Sequence, residues 1–198
     1  MFRGQICFYI TNSGGTVIKK LNYLIVLCLL TFVTGCHSVY TTHPIGKPPL
    51  KISAEKWDGT WINNDGSIVL KVTDPEKGHL IAALIESKQD DLKLEKFDIE
   101  LRGTNDFIFI NFKTKNKKEN ILYVWGKIKK KEREIIIWGP NVEKFRELVK
   151  KGKLPGKIKN KDVYLDTLKD EHLKFITSEE NALLFDLNNP GVFFRLTK

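Results

Sequence analysis

Thiols, imidazoles, adjacent carboxylates and clustered ammonium groups are the side chains of this sequence that could do chemistry, and their spacing gives them unequal weight. All three cysteines, Cys7, Cys28 and Cys36, precede residue 37, so no disulfide framework spans the rest of the chain. The histidines His37, His43, His79 and His172 are scattered and have no cysteine beside them. A zinc site needs three or four convergent ligands, so these read as solvated or hydrogen-bonded rings. Asp90-Asp91 and Glu179-Glu180 are paired acids, but neighbours on a strand point to opposite faces and form no carboxylate dyad. A Gly-x-Ser-x-Gly elbow, a P-loop and a dinucleotide fingerprint are all missing. No catalytic residue, metal ligand or cofactor is therefore expected. Lysines cluster at 113–118 and 127–131, and the formal net charge of +9 invites a nucleic-acid reading. In an antiparallel meander these two loops fall at opposite ends of the sheet and do not fuse into one groove, so nucleic acid is not expected as a partner.

The 198 residues suffice for one core domain with an appendage. A charged fraction of 29% argues against a polytopic membrane protein, and a hydrophobic fraction of 41% argues against wholesale disorder.

An almost unbroken apolar run occupies 21–33, preceded by Lys19 and Lys20 and followed by Thr34-Gly35-Cys36. It is too short to span a bilayer, which takes about 20 apolar residues. With no acidic residue before Glu55, it fits the apolar core of an export signal. Val33-Thr34-Gly35-Cys36 resembles the lipobox of bacterial lipoproteins. The resemblance implies that 1–35 is a signal peptide, and that Cys36 receives a diacylglyceryl thioether and becomes the first mature residue. His37 follows in place of the aspartate that retains enteric lipoproteins at the inner membrane, which favours the outer membrane in a Gram-negative cell. The 18 residues before Lys19 carry a single charge, Arg3, and suggest a start at Val17. Loss of Arg3, Lys19 and Lys20 leaves the mature chain at +6.

From 36 to 53, Pro44, Pro48, Pro49 and Gly46 with few large apolar residues read as a lipid-anchored, extended tether. An irregular arm packed on the domain is the alternative. The globular domain, 54–198, shows strand patterns at 67–72, 79–87, 93–102, 107–113, 120–129 and 134–138, joined by polar turns. An extra residue between Leu94 and Phe97 suggests a bulge. At Asn141 the period changes: Val142, Phe145, Leu148 and Val149 form one helical stripe, which Gly152 ends. The segments 163–168 and 172–177 read equally as strand or helix, and 192–197 as a final strand. Apolar residues on both faces of 79–87, 107–112 and 121–128 mean either a sheet covered by that helix or a surplus face lining a ligand cavity.

Gly59-Thr60-Trp61 opens the first strand and Arg195 sits in the last. This arrangement resembles the calycins, including lipocalins, and implies that Trp61 plugs one end of a barrel while Arg195 stacks on it, a structural closure. The expected fold is mainly β, an antiparallel meander forming a barrel or half-barrel with one α-helix in the C-terminal half; a β-sandwich or α+β fold is the alternative. The expected function is that of a non-catalytic envelope lipoprotein, held at the membrane through Cys36 and contacting envelope proteins or polymers. A carrier for a small apolar ligand is the second reading and an envelope hydrolase the third.

Overall fold

The computed structural model describes residues 37–63, 66–88, 91–103, 107–116 and 118–196. Strand β1 (Val39–Thr41) and a one-turn helix α1 (Ala54–Trp57) precede seven strands: β2 (Gly59–Asn63), β3 (Gly66–Asp74), β4 (His79–Lys88), β5 (Asp91–Gly103), β6 (Ile108–Lys115), β7 (Ile121–Lys130) and β8 (Glu134–Trp138). Helix α2 (Val142–Lys150), strands β9 (Gly156–Lys159) and β10 (Asp162–Leu165), helix α3 (Asp170–Thr177) and a 3₁₀ segment (Glu179–Leu184) come next. Strand β11 (Gly191–Arg195) ends the described chain.

Strands β2 to β8 pair in sequence, each antiparallel to the next, and β11 pairs with both β8 and β2 to close an eight-stranded barrel. The alternation of β5 and β6 shows how sequence sets the faces. Ile99, Leu101, Ile108, Ile110 and Phe112 point into the lumen, where they pack with Trp61, Leu70, Leu80, Ile128, Ile135 and Ile137. The intervening Phe109 and, from β7, Trp125 point outward and are just as buried. They meet Phe145 of α2, Val163 and Leu165 of β10 and Ile176 of α3 in a second core. A doubly apolar wall is thus covered by the segment inserted between β8 and β11.

Strand β7 changes partner along its length. Residues 127–130 pair with β8, whereas Tyr123 and Val124 pair with β1, which pairs in parallel with β10. Gly126 marks the branch point, for a Cβ there would lie 2.6 Å from the Trp138 carbonyl oxygen. Strands β1, β10 and β9 so form a three-stranded extension of the barrel wall.

The expected tether is corrected from Ser38 onward: this stretch is an arm docked on the barrel. Val39 and Ile45 enter the outer core, and Leu50 and Ile52 pack against the lumen cluster. Its backbone is paired, with Leu50 N donating to Leu101 O (3.0 Å), Gly103 N to Pro48 O (2.8 Å) and Ile52 N to Pro75 O (2.9 Å). Gly78, at φ 67°, admits this approach because a Cβ there would sit 2.6 Å from the Leu50 and Leu101 carbonyl oxygens. Two further corrections concern elements. β4 and β5 pair without a shift through Leu94 and Phe97, so the bulge is absent there; the register shifts instead between Val72 and Asp74. The C-terminal half holds α3 and a 3₁₀ segment besides α2. α2 begins at Asn141, whose side-chain oxygen accepts from Lys144 N (3.2 Å), and Gly152 follows it in the left-handed region at φ 67°.

Candidate functional site

The residues Gly59, Trp61 and Arg195 meet where β2 pairs with β11. Trp61 is fully buried and opposite Arg195 in the β2–β11 register. The guanidinium carbon lies 5.8 Å from the indole centroid, and its Nη2 donates to Asp58 O (2.6 Å) and Glu55 O (2.9 Å). Gly59 leaves room for this: at φ 136° it is in a region side chains avoid, and a Cβ would lie 3.4 Å from Arg195 Nε. The indole Nε1 donates to Trp57 O (3.0 Å), and Lys130 Nζ sits 5.3 Å from the same ring. Burial, then the nearby charges of Arg195 and Lys56, pushes the Lys130 amine below its ordinary pKa. Burial alone would raise Asp58, but hydrogen bonds from Lys71 and Val72 and the charges of Lys71 and Arg195 outweigh it and hold the carboxyl below the usual carboxylate range. The indole, the guanidinium and the Lys130 ammonium are thus engaged with one another and with backbone carbonyls.

The 127–131 lysines are drawn into similar work. Lys127 Nζ lies 4.5 Å from the Phe107 centroid, and Lys130 Nζ also donates to Lys131 O (2.8 Å).

A second polar cluster lies on the outer wall, where sequence patterning shows only a solvent face. Asn111 is completely buried; its Oδ1 accepts from Ile45 N (2.7 Å) and its Nδ2 donates to Ile45 O (3.0 Å) and Glu100 O (3.2 Å). The amide imitates a strand neighbour and clamps the arm. Arg102 Nε donates to Glu100 Oε1 (2.6 Å) and its Nη1 to Gly46 O (3.3 Å), while His79 Nε2 is 3.8 Å from the other Glu100 oxygen. Burial first, and the Glu100 charge second, raises the pKa of the adjoining Tyr123 phenol.

Where the arm leaves this clamp, a cleft of about 230 Å³ opens against the inserted segment. Its walls are His43, Ile45 and Lys47 from the arm, Arg102 from β5, and Asp166 and Leu173 from the loop and helix after β10. Thr41 also borders it, with a buried hydroxyl that has no hydrogen-bond partner among the described residues. Lys47 Nζ reaches Asp170 at 3.4 Å across the rim. Such a cleft can donate to carboxylates and carbonyls from three cationic or imidazole groups while burying a small apolar group on Ile45 and Leu173. Sequence reasoning misses it because half of its lining comes from the supposed tether.

Histidines stay apart: His43 contacts Thr42, and His172 Nδ1 accepts from Lys169 N (3.0 Å). Among the described residues no three His, Cys, Asp or Glu side chains converge as metal ligands, and no helix is long and apolar enough to cross a membrane. Cys36 and the signal segment 1–35 lie outside the described residues. Comparison with protein-family models, curated proteins and solved structures gives no match.

Proposed function

We propose that this chain is a non-catalytic cell-envelope lipoprotein, anchored by acyl chains on Cys36, whose barrel is a rigid body for contacts with an envelope protein or polymer. The carrying observation is where the open cleft lies. The lumen is packed with Trp61, Leu70, Leu80, Leu101, Ile110 and Ile128, and the cleft, bordered by Lys47, Arg102 and the unpartnered Thr41 hydroxyl, is on the outside, beside the arm. That distribution supports a contact role over that of a lumenal carrier. Support for the anchor is the apolar run at 21–33 ending in Val33-Thr34-Gly35-Cys36. Two or three acyl chains, each buried methylene contributing about 0.8 kcal/mol, hold a protein at a bilayer where a single chain does not.

Cys36→Ala should abolish lipid labelling and move the protein from the membrane to the soluble fraction; unchanged labelling sinks the anchor. For the contact role, a photo-crosslinking residue at the exposed Thr167 should give a discrete adduct in intact cells, weakened by Lys47→Glu. A smear insensitive to Lys47→Glu overturns the cleft as the contact site.

A further inference from the structure

The arm is docked from its first residues. Ser38 is already fixed: its amide donates to Asp162 Oδ1 (2.9 Å), and its carbonyl accepts from Val163 N (3.0 Å). Only His37 separates Ser38 from Cys36 in the sequence, so under the anchor reading at most about 7 Å of chain joins the acylated residue to Ser38. With so short a link, the surface next to Ser38 is the one to search for membrane chemistry.

That surface is the β9–β10 hairpin and its neighbour β1. Lys157 and Lys159 share one face of β9, Lys161 occupies the turn, and Lys153 lies just upstream; all four are exposed. Lys51, Lys71, Lys115 and Lys131 all form carboxylate pairs elsewhere. Among the described residues none of the four hairpin lysines has such a pair. Tyr164, opposite Lys157, and Tyr40, opposite Tyr164, stack with centroids 5.1 Å apart on this same face and are half-buried. Tyrosine suits a membrane interface, where a ring meets apolar surface and its hydroxyl meets headgroups. The turn itself points the same way. Asn160 (φ 51°) and Lys161 (φ 70°) both adopt the left-handed conformation of a two-residue hairpin turn, whose second position favours glycine. A lysine stands there instead, its carbonyl held by the Arg146 guanidinium.

We propose that the Lys157, Lys159, Lys161, Tyr40 and Tyr164 face docks on the anionic phospholipid surface of the membrane that holds the anchor. The lysines meet lipid phosphates and the tyrosine pair settles among the headgroups. The proposal rests on the anchor reading of Cys36 for its orientation and on the patch for its chemistry, and the two are separable by experiment.

Residues from Ser38 onward form one compact unit, so the acylation-deficient Cys36→Ser mature chain serves for the first arm. It should sediment with phosphatidylglycerol-containing vesicles, be released by salt, and ignore pure phosphatidylcholine. Glu at Lys157, Lys159 and Lys161 together should lower partitioning at least about tenfold, and Gln at the same positions by less. The same reversals at Lys113, Lys115 and Lys118 should change it by no more than about twofold. Equal binding to neutral vesicles, or equal losses from both triple variants, overturns the proposal. In the second arm the acylated chain is reconstituted in the same vesicles with a depth-reporting label at Asn160→Cys or at Lys118→Cys. The label at 160 should be at headgroup depth and that at 118 in bulk water; matching depths overturn the docked orientation. Intact mass without acyl groups overturns the anchor reading alone, and the first arm still decides the patch.

Discussion

Two hydrophobic layers share the β6–β7 wall and are assembled in different ways. The lumen is filled mostly by side chains alternating along consecutive strands, β2 to β8 being joined hairpin by hairpin. The outer core gathers Val39 and Ile45 from the arm, Phe109 and Trp125 from the wall, and Phe145, Leu154, Ile176 and Phe185 from the insertion. The contrast extends to polar groups. The lumenal Trp61 donates its indole N–H to Trp57 O, whereas the Trp125 Nε1, the Thr41 hydroxyl and the Arg146 Nε, all on the outer side, are buried without partners among the described residues. A buried donor left unpaired costs about 1–3 kcal/mol, so the outer layer is the looser of the two and is expected to open before the barrel does.

That ranking can be broken most forcefully with large truncations. Trp61→Ala and Phe145→Ala each remove a fully buried aromatic and should each cost about 3–5 kcal/mol. The former should unfold the whole domain in one transition. The latter should expose amides of β1, β9, β10 and α3 to hydrogen exchange while β3–β5 stay protected; uniform loss of protection would show that the layers form one cooperative unit. Next comes Asn111→Ala, which leaves the Ile45 N–H and carbonyl without their partner at a cost of about 1–3 kcal/mol. Exchange at Val39–Thr41 and protease cleavage near Ile45 should rise together, and an unchanged arm would remove the clamp from the account.

The lumen and the outer core were also unequally legible in the sequence. The barrel strands announce themselves because inward and outward residues alternate, as in Lys96, Phe97, Asp98 and Ile99, and the helix at Val142–Lys150 because its stripe and its Asn141 cap coincide. The arm was hidden because it is held by backbone and amide hydrogen bonds, which leave no trace in hydropathy, while its prolines have the composition of a linker. The β9–β10 hairpin was hidden in a lysine-rich stretch whose Asn160-Lys161 turn lacks the glycine signal. Trp61 and Arg195 could be paired from sequence because each sits in a strand with clear boundaries; the cleft could not, since Lys47 and Asp166 come from segments without periodicity.

Smaller effects sharpen the comparison. Trp125→Phe removes an unpartnered N–H and should cost less than Trp61→Phe, which loses a made hydrogen bond and weakens two cation contacts; urea midpoints for the pair measure this, and equal costs would put the two indoles in equivalent settings. A double-mutant cycle on Trp61 and Arg195 should show a coupling of about 0.5–1 kcal/mol, and strict additivity would make the stacking incidental. The least effect concerns acid. The Asp58 carboxyl is held below its usual 3.8, so its contribution is present above that value and fades as pH falls through the folded pKa. Asp58→Asn should therefore flatten the acid limb of a stability profile below about pH 4, and an unaltered limb would assign acid sensitivity elsewhere.

Strand β11 follows β8 only after the whole inserted segment, yet it is the stave that joins β8 to β2. Until residues 191–195 arrive, both neighbouring edges stay open and the ring has a gap. A nascent chain thus holds its remaining strands as an unsealed sheet for the whole time needed to synthesise the inserted segment. Closure thus rests on the barrel's most distant strand pairing, Trp61 with Arg195, and contacts so far apart in sequence are the slowest for a chain to make.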